Sequence, residues 1–415
     1  MATQKRDSLL VIPLFVTIFL DAIGLGIIFP VFTPVFLHNS IGLLGHDITG
    51  QARQIIFGSI IAAYPLAMFL GAPVMGALSD KYGRKKILLL SLLGNAVGFL
   101  LSALGLMLHD LLLIFTGRII SGVTAGNIPI AQAAIVDISP EEKKGIRLGL
   151  ISVANGIGFT CGPIIGGLVS DTNLIPHATI YSPFLLIAFL SLLNMMLIGF
   201  YFVESYIGNG GEVIDVLTGF KNIYSGFINP KTSMLAVIFF LYILGYLGFF
   251  QYIPVFLTLK FGTKAPIIGD FMGLYALSFT VSLVVLLPII TKRVGMLPLM
   301  VISLMMQPIF VLLFFIFNNY IYNWILIVVM AIPFSFCYVA CITNFSNVTK
   351  AEDQGKIMGV AASLCALAWG VGPILSGLFD TIGFTIPMIF FVVILSFSFI
   401  FSLHYYKRMA KQTTS

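Results

Sequence analysis

The sequence predicts an all-α polytopic membrane protein, with twelve transmembrane helices in two pseudo-symmetric six-helix bundles. Three observations carry that expectation. Apolar residues make up 59% of the 415-residue chain and charged residues only 9%, where a soluble domain holds roughly 45–50% and about 25%. So much apolar surface cannot be hidden in one core, and lipid must be the solvent. Twelve apolar runs are each long enough to cross the hydrocarbon core of a bilayer, and the two halves of the chain repeat one another.

The runs place helices 1 to 6 at 9–37, 55–78, 87–108, 111–138, 146–170 and 182–203. Helices 7 to 12 follow at 233–259, 267–290, 296–317, 322–348, 357–379 and 385–406. They divide the chain into an N-terminal bundle (1–203), a cytoplasmic linker (204–232) and a C-terminal bundle (233–415). Lys5 and Arg6 precede a first run too long for a signal-peptide core, so helix 1 is expected to stay uncleaved. The linker opens on Gly208, Gly210 and Gly211 and continues as an amphipathic stretch, 213–227, suited to the membrane surface.

Charge sets the orientation. With both termini inside, 18 Lys and Arg fall in cytoplasmic segments and 3 in external loops, and Arg118 alone lies within a run. That bias puts both termini in the cytoplasm, and it accounts for the net charge of +6 without a nucleic-acid partner. The four cysteines lie in apolar runs with no Cys-x-x-Cys pair, and no histidine stands at a metal-ligand spacing. Neither a metal nor any other cofactor is expected.

Sliding the sequence by 210 residues sets Gly149 on Gly359, Gly162-Pro163 on Gly372-Pro373 and Gly167 on Gly377. An offset of 224 sets Gly24 on Gly248 and 30–32 on 254–256. Parallel six-helix repeats are the architecture of transporters. An enzyme would need a nucleophile–base arrangement, a phosphate loop or a metal cluster, and a membrane sensor an added soluble domain. The sequence offers none of these.

Four stretches carry the chemistry. The first, G-A-L-S-D-K-Y-G-R-K-K at 76–86, joins helices 2 and 3. Gly83 permits its tight turn, and Asp80 can pair with Arg84 or face a helix N-terminus in the other half. A loop that only set topology would need the cations but not Asp80 and Gly83. The second is Asp21, about 12 residues and some 18 Å into helix 1, past the middle of a core about 30 Å thick. An acid at that depth is a functional candidate by default. Burial favours its neutral form and a neighbouring cation its ionised form, which suits a group that loads and releases a proton. The third is Arg118 in R-I-I-S-G-V-T-A-G, at nearly the same depth in helix 4. Arg118 is expected to hold Asp21 ionised until substrate or a conformational change weakens that hold. The fourth is helix 5, where Gly149, Gly158, Gly162, Pro163, Gly166 and Gly167 follow G-x8-G-x3-G-P-x2-G-G. Small residues there allow close helix approach.

Together these stretches resemble the major facilitator superfamily, within the drug:proton antiporter family that includes the tetracycline-efflux proteins. The resemblance implies a cytoplasmic latch built from Gly76, Asp80, Lys81, Gly83, Arg84 and Lys85, with Asp137 as a further partner of Arg84. It implies proton coupling at Asp21 and Arg118. The helix 5 pattern is the one the family associates with antiporters, which favours export. The expected function is a proton-coupled antiporter that exports small amphiphilic or aromatic organic compounds by alternating access, a monomer in a bacterial inner membrane driven by the proton gradient. A dedicated metabolite or siderophore-like transporter of the same fold is the alternative.

Departures from the family pattern narrow the expectation. Lys292 stands where the second half would repeat Asp80, and Gly245 where it would repeat Asp21, so coupling chemistry is concentrated in the first half. Tetracycline exporters typically carry an acid in helix 3, where Gly98 stands here, and helix 9 offers Gln307 but no acid. The second half is instead rich in aromatic and neutral polar residues. Tyr246, Gln251 and Asn344 are candidate pocket residues there, and Asn95 and Asn127 in the first half.

Overall fold

In a computed structural model the chain is all helical, and residues 2–39, 41–45, 47–171, 174–206, 215–317, 319–350 and 353–414 are described. The linker glycines Gly208, Gly210 and Gly211 lie outside them. Among the described residues twelve helices are long and apolar enough to cross a membrane. In order, helices 1 to 6 are Val11–Leu37, Gly50–Tyr82, Arg84–Leu108, Leu111–Ile138, Glu142–Val169 and Ser182–Tyr201. Helices 7 to 12 are Ser233–Phe261, Ala265–Thr291, Met296–Ile316, Tyr320–Asn347, Gln354–Asp380 and Ile386–Lys411. In lipid no water satisfies an exposed backbone, so each apolar run closes its own hydrogen bonds as a helix.

Three spans depart from a plain helix. Helix 1 is interrupted at Ile27. Helix 4, expected as one run, stops at Val123 and restarts at Asn127. Helix 8 contains a π-helical turn at Ser282–Leu286, a feature often found at functional positions.

The chain forms two compact units. Unit 1 is Met1–Ile48, Ala63–Leu217 and Lys264–Gly273; unit 2 is Thr49–Ala62, Thr218–Thr263 and Leu274–Ser415. Their internal packing follows one plan. In unit 1 helix 3 packs on helices 4 and 6, and helix 1 on helices 5 and 6. In unit 2 helix 9 packs on helices 10 and 12, and helix 7 on helices 11 and 12. Caps repeat as well. Asp110 accepts from the Leu112 and Leu113 amides ahead of helix 4, and Asn319 from the Ile321 and Tyr322 amides ahead of helix 10. Such caps satisfy amides that a helix start leaves unpaired.

One pair of close approaches is also duplicated. Within unit 2, Gly58 lies against the Pro373 carbonyl, and a Cβ there would fall 3.5 Å from Gly377 Cα. Within unit 1, Gly269 lies against the Pro163 carbonyl, and its Cβ would again fall 3.5 Å from Gly167 Cα. A side chain at either glycine would push two backbones apart. The linker helix, Thr218–Ile228, packs on helices 11 and 7, where Asn222 Nδ2 donates to Ser363 Oγ at 3.3 Å.

Candidate functional site

Asp21 sits in a seat made of amides. Asn127 Nδ2 donates to its Oδ1 at 3.0 Å and Asn95 Nδ2 donates to the same oxygen at 3.4 Å. Asn95 also donates to Ser191 Oγ at 3.3 Å. One turn away, Asn194 Nδ2 donates to Thr17 Oγ1 at 2.7 Å. Helices 1, 3, 4 and 6 thus share a polar seam through otherwise apolar packing. Asp21 as a residue is only partly buried.

Asn127 reaches Asp21 because helix 4 breaks. Thr124 Oγ1 folds back onto the Ile120 carbonyl at 2.8 Å, Gly126 precedes the restart, and Asn127 is the first residue of the second segment. The break is held from two sides, since Gly71 of helix 2 lies on the Val123 backbone and Gly94 of helix 3 on the Thr124 side chain. A helix start carries partial positive charge, and interrupted membrane helices use such ends to hold ions and charged groups. Here that end meets a carboxylate.

Arg118 is placed differently from the expectation. Its guanidinium lies over the Tyr64 ring, 4.8 Å from the centroid, and the side chain is only 5% exposed. Its Nε has no hydrogen-bond partner. Arg84 forms salt bridges with Asp80 and with Asp137, whereas Arg118 and Asp21 form none with each other. A cation on an aromatic face in a desolvated place is worth about 2 kcal/mol. Asn95 and Asn127, expected as substrate contacts, are both occupied with Asp21.

Helix 3 presents glycines to helix 4, and Gly98 is the tightest. A Cβ there would collide with Ser121 Oγ and fall 2.5 Å from the Gly117 carbonyl oxygen. No acid fits this position. Gly98→Asp is therefore expected to collapse the yield of folded protein, since overpacking costs about 1–3 kcal/mol and an unpaired buried charge several more. Size-exclusion chromatography of the detergent extract measures this, and a normal monodisperse yield would overturn it.

The 76–86 loop is anchored within unit 1. Arg84 pairs with Asp80, reaches Asp137 Oδ2 through Nε at 3.4 Å and donates from Nη1 to Ser79 Oγ at 2.7 Å. Glu204, just past helix 6, accepts from the Arg84 amide at 2.7 Å and the Lys85 amide at 3.2 Å. This carboxylate at the start of helix 3 is the favourable sign for a helix dipole. Gly83 is required twice over: its φ is +100°, and Glu204 occupies the place a Cβ would take. Lys85 Nζ donates to the Gly199 carbonyl at 2.8 Å, and Lys81 lies over Tyr82 at 5.4 Å. A Cβ at Gly76 would meet nothing within 4 Å, so that position is sterically free.

The helix 5 pattern divides into faces. Gly158, Gly162 and Gly166 all lie on helix 1, against Phe19, Ile23 with Gly26, and Ile27. Gly167 faces the start of helix 8 instead, and Pro163 spans both, its ring on Gly26 of helix 1 and its carbonyl on Gly269 of helix 8. Gly149 meets nothing within 4 Å, so packing does not explain it.

In unit 2 Tyr246 is the hub of an aromatic cluster. Its ring is nearly parallel to Tyr242 (centroids 5.8 Å apart) and to Phe279 (6.0 Å), and Phe334 lies 5.0 Å away. Gln251 Nε2 donates to the Trp369 carbonyl at 3.3 Å, leaving a buried Oε1 without a partner. Asn344 Nδ2 donates to the Ala340 and Met296 carbonyls at 2.8 and 3.3 Å, so its amide holds helices 9 and 10 together. Sequence reasoning missed Asp380, 4% exposed at the end of helix 11, whose Oδ1 accepts from the Tyr252 hydroxyl at 2.6 Å. Among the described residues no three His, Cys, Asp or Glu gather as a metal site.

The family model described as Major Facilitator Superfamily matches residues 14–373 and, separately, 235–414. The class C tetracycline resistance protein of Escherichia coli is 35% identical over 205 residues, 49% of this chain and 47% of that protein. The chain thus matches about half the length of that relative. The class B tetracycline resistance protein of Escherichia coli is 27% identical over 411 residues, 95% of this chain and 96% of that protein. Among solved structures, a bacterial homologue of the human lysosomal transporter Spinster, inward-facing and occupied, superposes with a TM-score of 0.74 at 13% identity. That superposition covers 95% of this chain and 96% of the other. At such identity the likeness is one of fold.

Proposed function

Because the chain belongs to the major facilitator superfamily, we propose that it is a secondary active transporter that exports small amphiphilic or aromatic organic molecules in exchange for protons, by alternating access. One observation carries the proton half of this reading. Asp21 is deep in helix 1, partly accessible, and held through a single oxygen by two neutral amides. The other oxygen, Oδ2, takes the proton. A carboxyl with no fixed cation is poised to change charge with small changes in its surroundings.

The cargo half rests on Tyr246 and Phe279, which are only partly buried and are backed by the buried rings of Tyr242 and Phe334, an apolar aromatic surface of the kind an aromatic ligand needs. The working unit is a monomer in a bacterial inner membrane, with both ends of the chain cytoplasmic and the proton gradient as energy source. Proteoliposomes with an imposed pH gradient test the reading against a panel of amphiphilic aromatic compounds. Proton movement triggered by one of them is the expected result; folded protein that moves no protons with any of them would refute it.

The Asp80, Arg84 and Asp137 cluster acts as the latch of the conformational cycle. Asp80→Asn removes one of the two carboxylates on Arg84 and is expected to lower turnover several-fold while leaving substrate affinity unchanged. Parallel measurement of binding and initial transport rate separates the two. A loss of affinity alone would sink the assignment.

A further inference from the structure

Two adjoining clefts open at one end of unit 2. The first, about 450 Å³, is lined by Lys231, Met234, Val237, Tyr405 and Arg408 among others. The second, about 470 Å³, shares Lys231 and adds Lys350 and Lys356, with Asp353 as its acid among the described residues. Among the described residues, Lys231, Arg408, Lys350 and Lys356 line the two clefts together with the carboxylate of Asp353. Topology alone asks for cations on the correct side of the membrane and does not ask that they face a common space. Lys231 precedes helix 7, while Arg408 belongs to the last turn of helix 12, at opposite ends of the second half of the chain.

Depth points to the occupant. Lys231 stands two residues before the span Ser233–Phe261, and Arg408 three residues before the end of Ile386–Lys411. Both stand at the ends of long apolar helices, where Lys and Arg side chains can reach the headgroup level. Met234 and Val237 continue the first cleft along helix 7 as an apolar wall. The linker helix beside the second cleft exposes Tyr224 and Ile228, at 69% and 58%, while Gly226 packs on Val360. That is the arrangement of a helix lying in the membrane interface.

We propose that these clefts form a binding site for an anionic phospholipid, with Lys231 and Arg408 on the headgroup phosphate and an acyl chain along Met234 and Val237. Basic pockets between membrane helices take such headgroups. The chemistry recognised is a phosphodiester monoanion with no compensating headgroup cation, joined to an apolar chain; the missing cation distinguishes it from phosphatidylcholine and the chain from free phosphate.

The test uses the full-length protein, purified in neutral detergent and titrated with phosphatidylglycerol. Bound lipid is counted by native mass spectrometry and thermal unfolding is followed in parallel. Wild-type protein is expected to retain phosphatidylglycerol in preference to phosphatidylcholine. The double variant Lys231→Gln, Arg408→Gln should bind it about thirtyfold more weakly, as loss of two interfacial cations implies. The charge-preserving pair Lys231→Arg, Arg408→Lys should keep most of the affinity, which guards against misfolding as the cause. Lys292→Gln with Arg293→Gln removes the same charge from the loop between helices 8 and 9 and should change nothing. The proposal is overturned if this control loses lipid equally, if the first double variant binds as wild type, or if phosphatidylcholine or inorganic phosphate reproduces the effect.

Discussion

Asp21→Asn is expected to yield a folded protein that still exchanges cargo across the membrane but no longer concentrates it. Both amide donors of the seat bind Oδ1, and asparagine keeps an oxygen there, so the hydrogen bonds of Asn127 and Asn95 survive the substitution. What is lost is the second oxygen, the one left for a proton. With one proton exchanged per cargo molecule, a gradient of one pH unit supplies about 1.4 kcal/mol, enough for roughly tenfold accumulation. The variant should reduce that ratio to unity while cargo counterflow without a gradient continues. Proteoliposome uptake measured with and without the gradient reads both quantities. Concentrative transport in the variant would remove Asp21 from the proton path, and loss of counterflow as well would make it a cargo-binding group instead.

Gly162→Val and Gly149→Val are expected to part company, although both glycines belong to one pattern. A Cβ at Gly162 would lie 2.7 Å from the Ile23 carbonyl oxygen and 2.8 Å from Gly26 Cα. Both are backbone atoms of helix 1, and neither can swing aside as a side chain would. Overpacking of this kind costs about 1–3 kcal/mol, and relief requires helix 1 to move and carry Asp21 with it. The Gly162 variant should therefore lose thermal stability and transport together. At Gly149 the same side chain enters open space, and valine is the better helix former there by a few tenths of a kcal/mol. Stability and transport should both persist. Unfolding midpoints and uptake for the two variants decide the matter, and equal losses at both sites would end the packing account of this pattern.

The fold is legible in the sequence because composition and run length are properties of the chain alone. Each span lies within a few residues of its expected place, and the repeat foretells which helices pack alike. Depth is legible too: Asn95, Asn127, Arg118 and Asp21 all stand out as polar groups within the apolar runs of the first half. Which way each points is not. Position along a helix says nothing of rotation about its axis relative to neighbours, so depth alone matches Arg118 to Asp21 when its face is turned to Tyr64. The break in helix 4 escapes a sequence reading because V-T-A-G contains no proline. Its cause is tertiary, in the glycines of helices 2 and 3 that close on it. Glu204 reads as an ordinary charged residue after a span, and only the fold brings it onto the start of helix 3.

The duplicated contact of Gly58 on Pro373 and Gly269 on Pro163 carries a consequence for the history of the chain. The halves differ at the proposed coupling and latch positions: Gly245 stands at the repeat of Asp21 and Lys292 at the repeat of Asp80. They have not drifted where one backbone crosses another, and the same residue types keep the same spacing on both sides of the duplication. Descent from a common six-helix ancestor has thus left two kinds of position, those free to specialise in one copy and those tied to the mechanics of both.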